Sequence, residues 1–125
     1  MIEKESNFMT FDIQNQTLNK WQKTIDLLSL ILDIPSALVM RLNKNKIEVF
    51  VTSASECNPY KKGDDEVFFN SGLYCEHVIK TQEMLYVGDA LKSDKWRGNP
   101  DVKLNMINYL GLPINLSDGA PFGTI

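Results

Sequence analysis

Tyr109-Leu110-Gly111-Leu112-Pro113-Ile114, followed within ten residues by Pro121-Phe122-Gly123-Thr124-Ile125, is the stretch that decides the fold. Met106 to Ile114 is apolar enough for a strand. Gly111 has no side chain to pack and Pro113 has no amide hydrogen for a ladder, so that strand is broken by these two residues. Ser117-Asp118-Gly119 carries turn chemistry and leads into a second apolar segment starting near Pro121. The expected unit is a strand, a turn and a returning strand, the last without a terminator before Ile125 and expected to be cut short there.

Working backwards, Asp101 to Asn105 is expected to form one helical turn. It follows a polar connection, Gly88-Asp89-Ala90 through Lys95-Trp96-Arg97-Gly98-Asn99-Pro100, whose most conspicuous apolar anchor is Trp96. Met84 to Val87 reads as a short strand. Leu73, His77 and Val78 follow Asn70-Ser71-Gly72 at helical spacing, which predicts a short helix from about Gly72 to Thr81, with Ser71 as its cap and Glu76 favourable in its first turns. Ser55 to Asp65 holds Asn58-Pro59 and Lys62-Gly63-Asp64-Asp65 without any period and is expected to be a surface loop. Ser36–Leu42 and Ile47–Ser53 flank the polar tetrapeptide Asn43-Lys44-Asn45-Lys46 and predict a β-hairpin. In its second strand Ile47, Val49 and Val51 alternate with Glu48, Phe50 and Thr52, giving one apolar and one mixed face.

From Thr17 to Asp33, Leu18, Trp21, Ile25, Leu28 and Leu32 recur at steps of three and four, placing them on one stripe of a helix that Pro35 ends. A second apolar row, Leu27, Ile31 and Ile34, makes that face wider than docking on one sheet requires. Two readings follow: both rows are buried inside one domain, or part of the face, with the first row as its seam, meets a second copy in a homodimer. Residues 1–16 are mixed and polar and read as a lead-in.

The 125 residues suit one domain, 17–125, with a single core. Thirteen basic against sixteen acidic side chains, with no Lys/Arg run, argue against a nucleic-acid partner. The longest apolar stretch, around Leu27 to Leu32, is far shorter than the roughly 20 residues of a membrane span, so no direct membrane insertion is expected. The start, Met-Ile-Glu-Lys-Glu-Ser, lacks a secretory pattern, and a cytoplasmic location is expected. Cys57 and Cys75 have no companion Cys or His at ligand spacing, so free thiols and no metal site are expected.

Gly72-Leu73-Tyr74-Cys75-Glu76-His77-Val78-Ile79, Leu85-Tyr86-Val87-Gly88-Asp89-Ala90 and Asn99-Pro100-Asp101-Val102 then occur in order ahead of the opening stretch. From about Thr17 to Ile125 this resembles a GAF domain, of the type found ahead of bacterial histidine kinase or diguanylate cyclase modules. The resemblance implies an α+β, PAS-like fold with a central antiparallel sheet of about six strands. N- and C-terminal helices would cover one face and a ligand pocket the other, the final strand and helix lying beyond Ile125. It implies a sensory or regulatory domain of a two-component or related signalling protein, which binds a small molecule, dimerises, or does both to control an output domain. Neither ligand nor cofactor is named by it.

Tyr74, Cys75, His77, Trp96, Asn99, Asp101 and Tyr109 are the candidate ligand-binding residues, offering aromatic surface together with donors and acceptors. Five of them have a plainer reading: Trp96 closes the core, Asn99 makes the turn before Pro100, Asp101 begins a helical turn, Cys75 is buried, and His77 is structural. No catalytic residue is expected. The enzymatic alternative, a GAF enzyme reducing free methionine-(R)-sulfoxide, needs a reactive cysteine in the segment Met106 to Pro113, which has none. A third alternative is a ligand-free dimerisation module whose pocket is filled by Phe68, Phe69 and Tyr74.

Overall fold

The computed structural model describes residues 15–125, so most of the expected lead-in over residues 1–16 lies outside the described residues. Helix α1 (Asn15–Ile31) comes first. A hairpin of β1 (Leu38–Asn43) and β2 (Lys46–Thr52) follows, then a short β3 (Asp65–Val67) and helix α2 (Tyr74–Thr81). Strand β4 (Leu85–Val87), two 3-10 turns (Ala90–Lys92 and Pro100–Leu104), β5 (Tyr109–Gly111), β6 (Pro113–Asn115) and β7 (Pro121–Thr124) complete the described chain. Five strands form one antiparallel sheet in the order β3-β2-β1-β7-β6, and β4 and β5 form a separate antiparallel ribbon. This is the α+β architecture the sequence predicts, with the seven strands among the described residues divided five and two.

The broken strand is where the chain changes partners. β5 runs beside β4 and β6 runs beside β7, with the switch at Leu112 between Gly111 and Pro113. Because β6 is an edge strand, its proline removes no ladder bond that the sheet needs. Leu112 and Ile125 exchange two backbone hydrogen bonds, 2.8 and 3.0 Å long, which carry the pairing to the last residue. Gly123 lets β7 lie close to β1, since a Cβ there would stand 1.7 Å from the Met40 carbonyl oxygen.

The predicted hairpin forms, with Lys44 and Asn45 as a two-residue turn and Lys44 at φ 58°. Its faces differ from the simple alternation. Val39 pairs with Val51 but Met40 pairs with Val49, so Phe50 is an inserted, bulged residue. A one-residue insertion turns every later side chain over. Val51 therefore shares a cluster with Phe50, Val39 and Ile25, while Ile47 packs with Met40, Leu42 and the α2 residues Cys75 and Ile79 on the opposite side. The two described helices thus lie on opposite faces of the sheet.

Helix α1 docks through Leu18, Trp21 and Ile25, and Ile25 is 0% exposed. Trp21, Phe50 and Phe122 meet edge to face at centroid distances of 5.5 to 6.2 Å, a favoured arrangement of ring quadrupoles. Gln22 Nε2 donates to the Thr52 carbonyl at 2.9 Å, and the Asp26 carboxylate accepts from the Ala54 N–H at 2.8 Å, pinning the helix to the end of β2. These contacts turn part of the row expected as a dimer seam inward. Its first three members face their own sheet, and Ile25 has no surface left for a partner, whereas Leu28 and Leu32 lie outside with Leu27, Leu30 and Ile31. The helix also stops ahead of Pro35: Asp33 takes φ 52°, and the Leu32 and Ile34 N–H groups bond the carbonyls of Leu28 and Ser29. Among the described residues, no helix is long and apolar enough to cross a membrane.

Candidate functional site

Helix α2 begins at Tyr74 with Leu73 as N-cap and no side-chain cap, so Ser71 does not cap it as its position suggests. The Ser71 hydroxyl instead accepts from the Leu73 N–H at 3.3 Å inside the turn. Glu76 does the organising. One carboxylate oxygen accepts from the Gly72 N–H at 3.1 Å, the other from the Asn70 N–H, and Lys80 closes an ion pair at 3.1 Å one turn on. Burial by itself would raise the Glu76 pKa, but the Lys80 and backbone hydrogen bonds outweigh it and hold the carboxyl below its ordinary range. The segment bearing buried Phe68 and the first turn of α2 are thereby locked together.

That lock aims Tyr74 across the ribbon. Its ring stacks on Tyr109 at 4.5 Å and 17°, and lies 5.4 Å from Trp96 at a tilt of 43°. The Tyr74 hydroxyl donates to the Met106 carbonyl at 2.9 Å. Tyr109 can occupy this position because Gly111, two residues along the same strand face, has no side chain: a Cβ there would stand 2.1 Å from the Tyr109 hydroxyl. The Thr124 hydroxyl hydrogen-bonds the Tyr109 phenol from β7.

The polar half of the site comes from two loops. Asn99 caps the 3-10 turn Pro100–Leu104, its side-chain oxygen accepting from the Asp101 N–H at 2.8 Å. Its amide nitrogen is buried without a hydrogen-bond partner, and the whole residue is only 4% exposed. Tyr60, from the loop after β2, donates its hydroxyl to Asp101 Oδ1 at 3.0 Å. Burial raises the Asp101 pKa, the Tyr60 hydrogen bond partly offsets this, and the charge of Glu66 adds to it. Burial and the Asp101 carboxylate together raise the pKa values of Tyr60, Tyr74 and Cys75.

The seven predicted residues therefore form one neighbourhood. His77 joins it at the rim, edge-on to Trp96 at 5.4 Å, with Nδ1 3.4 Å from Lys95 Nζ. Burial and the Lys95 charge lower the His77 pKa, which leaves the ring neutral at pH 7. Cys75 is buried, and burial with the Asp101 charge pushes its thiol up to about 12, so it supplies no thiolate at neutral pH. Among the described residues, no three His, Cys, Asp or Glu side chains converge as metal ligands.

The surroundings that shape this neighbourhood have known counterparts. The GAF domain of an Acinetobacter phosphoenolpyruvate-protein phosphotransferase superposes with a TM-score of 0.62 at 11% identity, over 98% of this chain and 70% of that one. The fold is that of GAF domains. The A. Aeolicus nlh2 GAF domain in an inactive state also matches, with a TM-score of 0.62 at 10% identity over 98% of this chain and 73% of that one. The sequence matches no family model and no curated protein. Identities this low carry the fold and leave the chemistry to the residues themselves.

Four participants escaped the sequence reading: Tyr60, Glu76 in its clamping role, Gly111 and Thr124. Tyr60 sits in an aperiodic loop 41 positions from Asp101, and no local pattern marks a contact at that separation. For Gly111 a signal existed. A glycine two residues after an aromatic in a strand leaves room for the ring to lie over it.

Proposed function

We propose that the chain is a sensory domain of a bacterial cytoplasmic signalling protein. It holds a small polar molecule beside Asn99 and Asp101 and passes the binding event, through the geometry of a homodimer, to an output module such as a histidine kinase or diguanylate cyclase. The observation carrying this reading is the buried Asn99 amide without a partner. A buried N–H left unpaired costs about 1–3 kcal/mol, and an acceptor on a bound molecule recovers that loss. The Asp101 carboxylate, two residues along and held by the Tyr60 hydroxyl, and the Trp96, Tyr74 and Tyr109 rings supply an acceptor and stacking surface of the kind that orients a ligand. The GAF fold agrees with a regulatory rather than a catalytic role.

Native mass spectrometry of the full chain, compared with its denatured mass, tests the reading. Asn99→Ser keeps a capping oxygen but removes the amide donor. The expected result is a small molecule retained by the wild type and lost from this variant, with unfolding temperatures close together. Wild-type protein that carries no added mass, and that no small polar molecule stabilises against heat, overturns it.

A second reading has an observation of its own. Tyr74 and Tyr109 stacked at 4.5 Å leave no space between them, and Phe68 and Tyr74 are each 2% exposed, which suits a ligand-free dimerisation module filled by its own side chains. Phe69, the third expected filler, is 55% exposed and takes no part. Under this reading Asn99→Ser changes neither mass nor ligand response.

A further inference from the structure

The partly buried Asp101 carboxylate lacks a counter-charge. Tyr60 donates a hydrogen bond to its Oδ1 at 3.0 Å, and among the described residues no lysine, arginine or histidine forms an ion pair with it. Tyr60, Tyr74, Cys75 and Tyr109 all feel its charge and all are neutral at pH 7. The charge that acts on Asp101 in turn, that of Glu66, has the same sign. Desolvated carboxylates are ordinarily paired, because an unpaired one lowers the stability of the fold that buries it. The raised pKa of Asp101 expresses that loss. Asn99, two residues before, is short of the opposite kind of partner: its buried amide nitrogen has no acceptor. Asn99 Oδ1 lies 2.8 Å from the Asp101 nitrogen at the start of one 3-10 turn, so the two side chains are close enough for one small molecule to reach both.

We propose that the molecule held here is a small amine, positively charged at neutral pH, whose ammonium group pairs with the Asp101 carboxylate and whose carbonyl or carboxylate oxygen accepts from the Asn99 amide. The proposal rests on the sensory reading above and names the chemical class of its ligand. One molecule of this kind satisfies both vacant partners, whereas an anion would set like charges together at Asp101 and an uncharged molecule would leave the carboxylate unpaired. The rings favour the same sign. Aromatic faces attract cations, and the exposed Lys95 ammonium already lies 5.2 Å over the Trp96 ring at the rim. Packing restricts the size. Tyr74 and Tyr109 stack at 4.5 Å with no slot between them, and Phe68 and Tyr74 fill the interior, so the molecule lies beside the rings and is small.

Titration of the full chain with four size-matched probes, followed by heteronuclear NMR, tests this. Alaninamide carries both the ammonium and the acceptor, propylammonium the charge alone, propionamide the acceptor alone, and propionate the opposite charge. Alaninamide is expected to bind most tightly, propylammonium about 2–10-fold more weakly for want of one hydrogen bond, and the other two more weakly still. Asp101→Asn keeps an acceptor for the Tyr60 hydroxyl but removes the charge. It is expected to weaken alaninamide binding at least about 30-fold, while the ligand-free variant unfolds at the same temperature as the wild type or higher. Asn99→Ser is expected to erase the difference between alaninamide and propylammonium. Propionate or propionamide bound as tightly as alaninamide overturns the amine, as does alaninamide bound equally well by Asp101→Asn. A ligand-free Asp101→Asn less stable than the wild type overturns it too, by giving the carboxylate a structural role. Each of these leaves the sensory reading standing, as does an anionic or uncharged molecule released in the mass spectrometer, which also overturns the amine. A wild type that carries no added mass and responds to no probe overturns both.

Discussion

Replacing Glu76 by Gln tests the most economical piece of site architecture in this chain. The wild-type carboxylate gives one oxygen to the Gly72 N–H and the other to the Asn70 N–H, while Lys80 neutralises the charge. Glutamine has a single acceptor oxygen, so one of the two amides must face an NH₂ group. Hydrogen bonds to charged groups contribute about 1.5–3 kcal/mol, and the half-exposed i,i+4 pair with Lys80 adds about 0.3–0.5 kcal/mol. Asn70 and Gly72 are exposed enough for water to recover part of the loss, so the expected cost is about 2 kcal/mol, or a fall of roughly 5–10 °C in unfolding temperature for a domain of this size. The pH dependence follows from the depressed pKa of this carboxyl in the fold. Its contribution is fully present above the ordinary value of 4.5 and is lost as pH falls through the lower folded value. Chemical denaturation of both proteins from pH 7 to pH 3 should give a stability gap that is constant above about pH 5 and closes on acidification. Equal midpoints at pH 7, or a gap that persists in acid, would refute the clamp.

Three further outcomes are expected. Gly111→Ala places a methyl group where the Tyr109 hydroxyl now lies, so near-ultraviolet circular dichroism should show the Tyr74–Tyr109 stack disrupted, with a loss of about 1–3 kcal/mol in denaturation. Ile25→Ala empties a fully buried position between α1 and the sheet and should cost about 2–5 kcal/mol by the same assay. Tyr60→Phe removes the one hydrogen bond that lowers the Asp101 pKa, so the Asp101 carboxyl should titrate at higher pH in a carbon-13 NMR titration. The penalty for keeping it charged at pH 7 grows and is relieved on acidification.

Periodicity and punctuation made most of the frame legible. Leu18, Trp21, Ile25, Leu28 and Leu32 at helical steps announced α1, Asn43-Lys44-Asn45-Lys46 between two apolar runs announced the hairpin, and Gly111 with Pro113 announced a break in the strand, which the structure shows to be a change of strand partner. β3 left no trace, because its three exposed residues, Asp65, Glu66 and Val67, are held by backbone pairing to β2 and by no side-chain pattern. Of the seven candidate site residues, Trp96, Asn99, Asp101 and Tyr109 were drawn from family likeness and His77 and Cys75 from their own chemistry, and the fold places them in one neighbourhood. Their partners Tyr60 and Thr124 come from elements remote in sequence, and only closure of the tertiary structure sets them there.

The sequence by itself determined what depends on near neighbours: which segments coil, which extend, where they turn, and that an apolar interior exists. Tertiary structure alone decided which side of each element faces that interior. The bulge at Phe50 reversed the faces of β2, and docking of α1 on the sheet left Leu18, Trp21 and Ile25 inside and Leu28 and Leu32 outside. Local propensity acts over a few residues, whereas burial is a property of whatever the rest of the chain places opposite, and that is fixed only when the sheet closes.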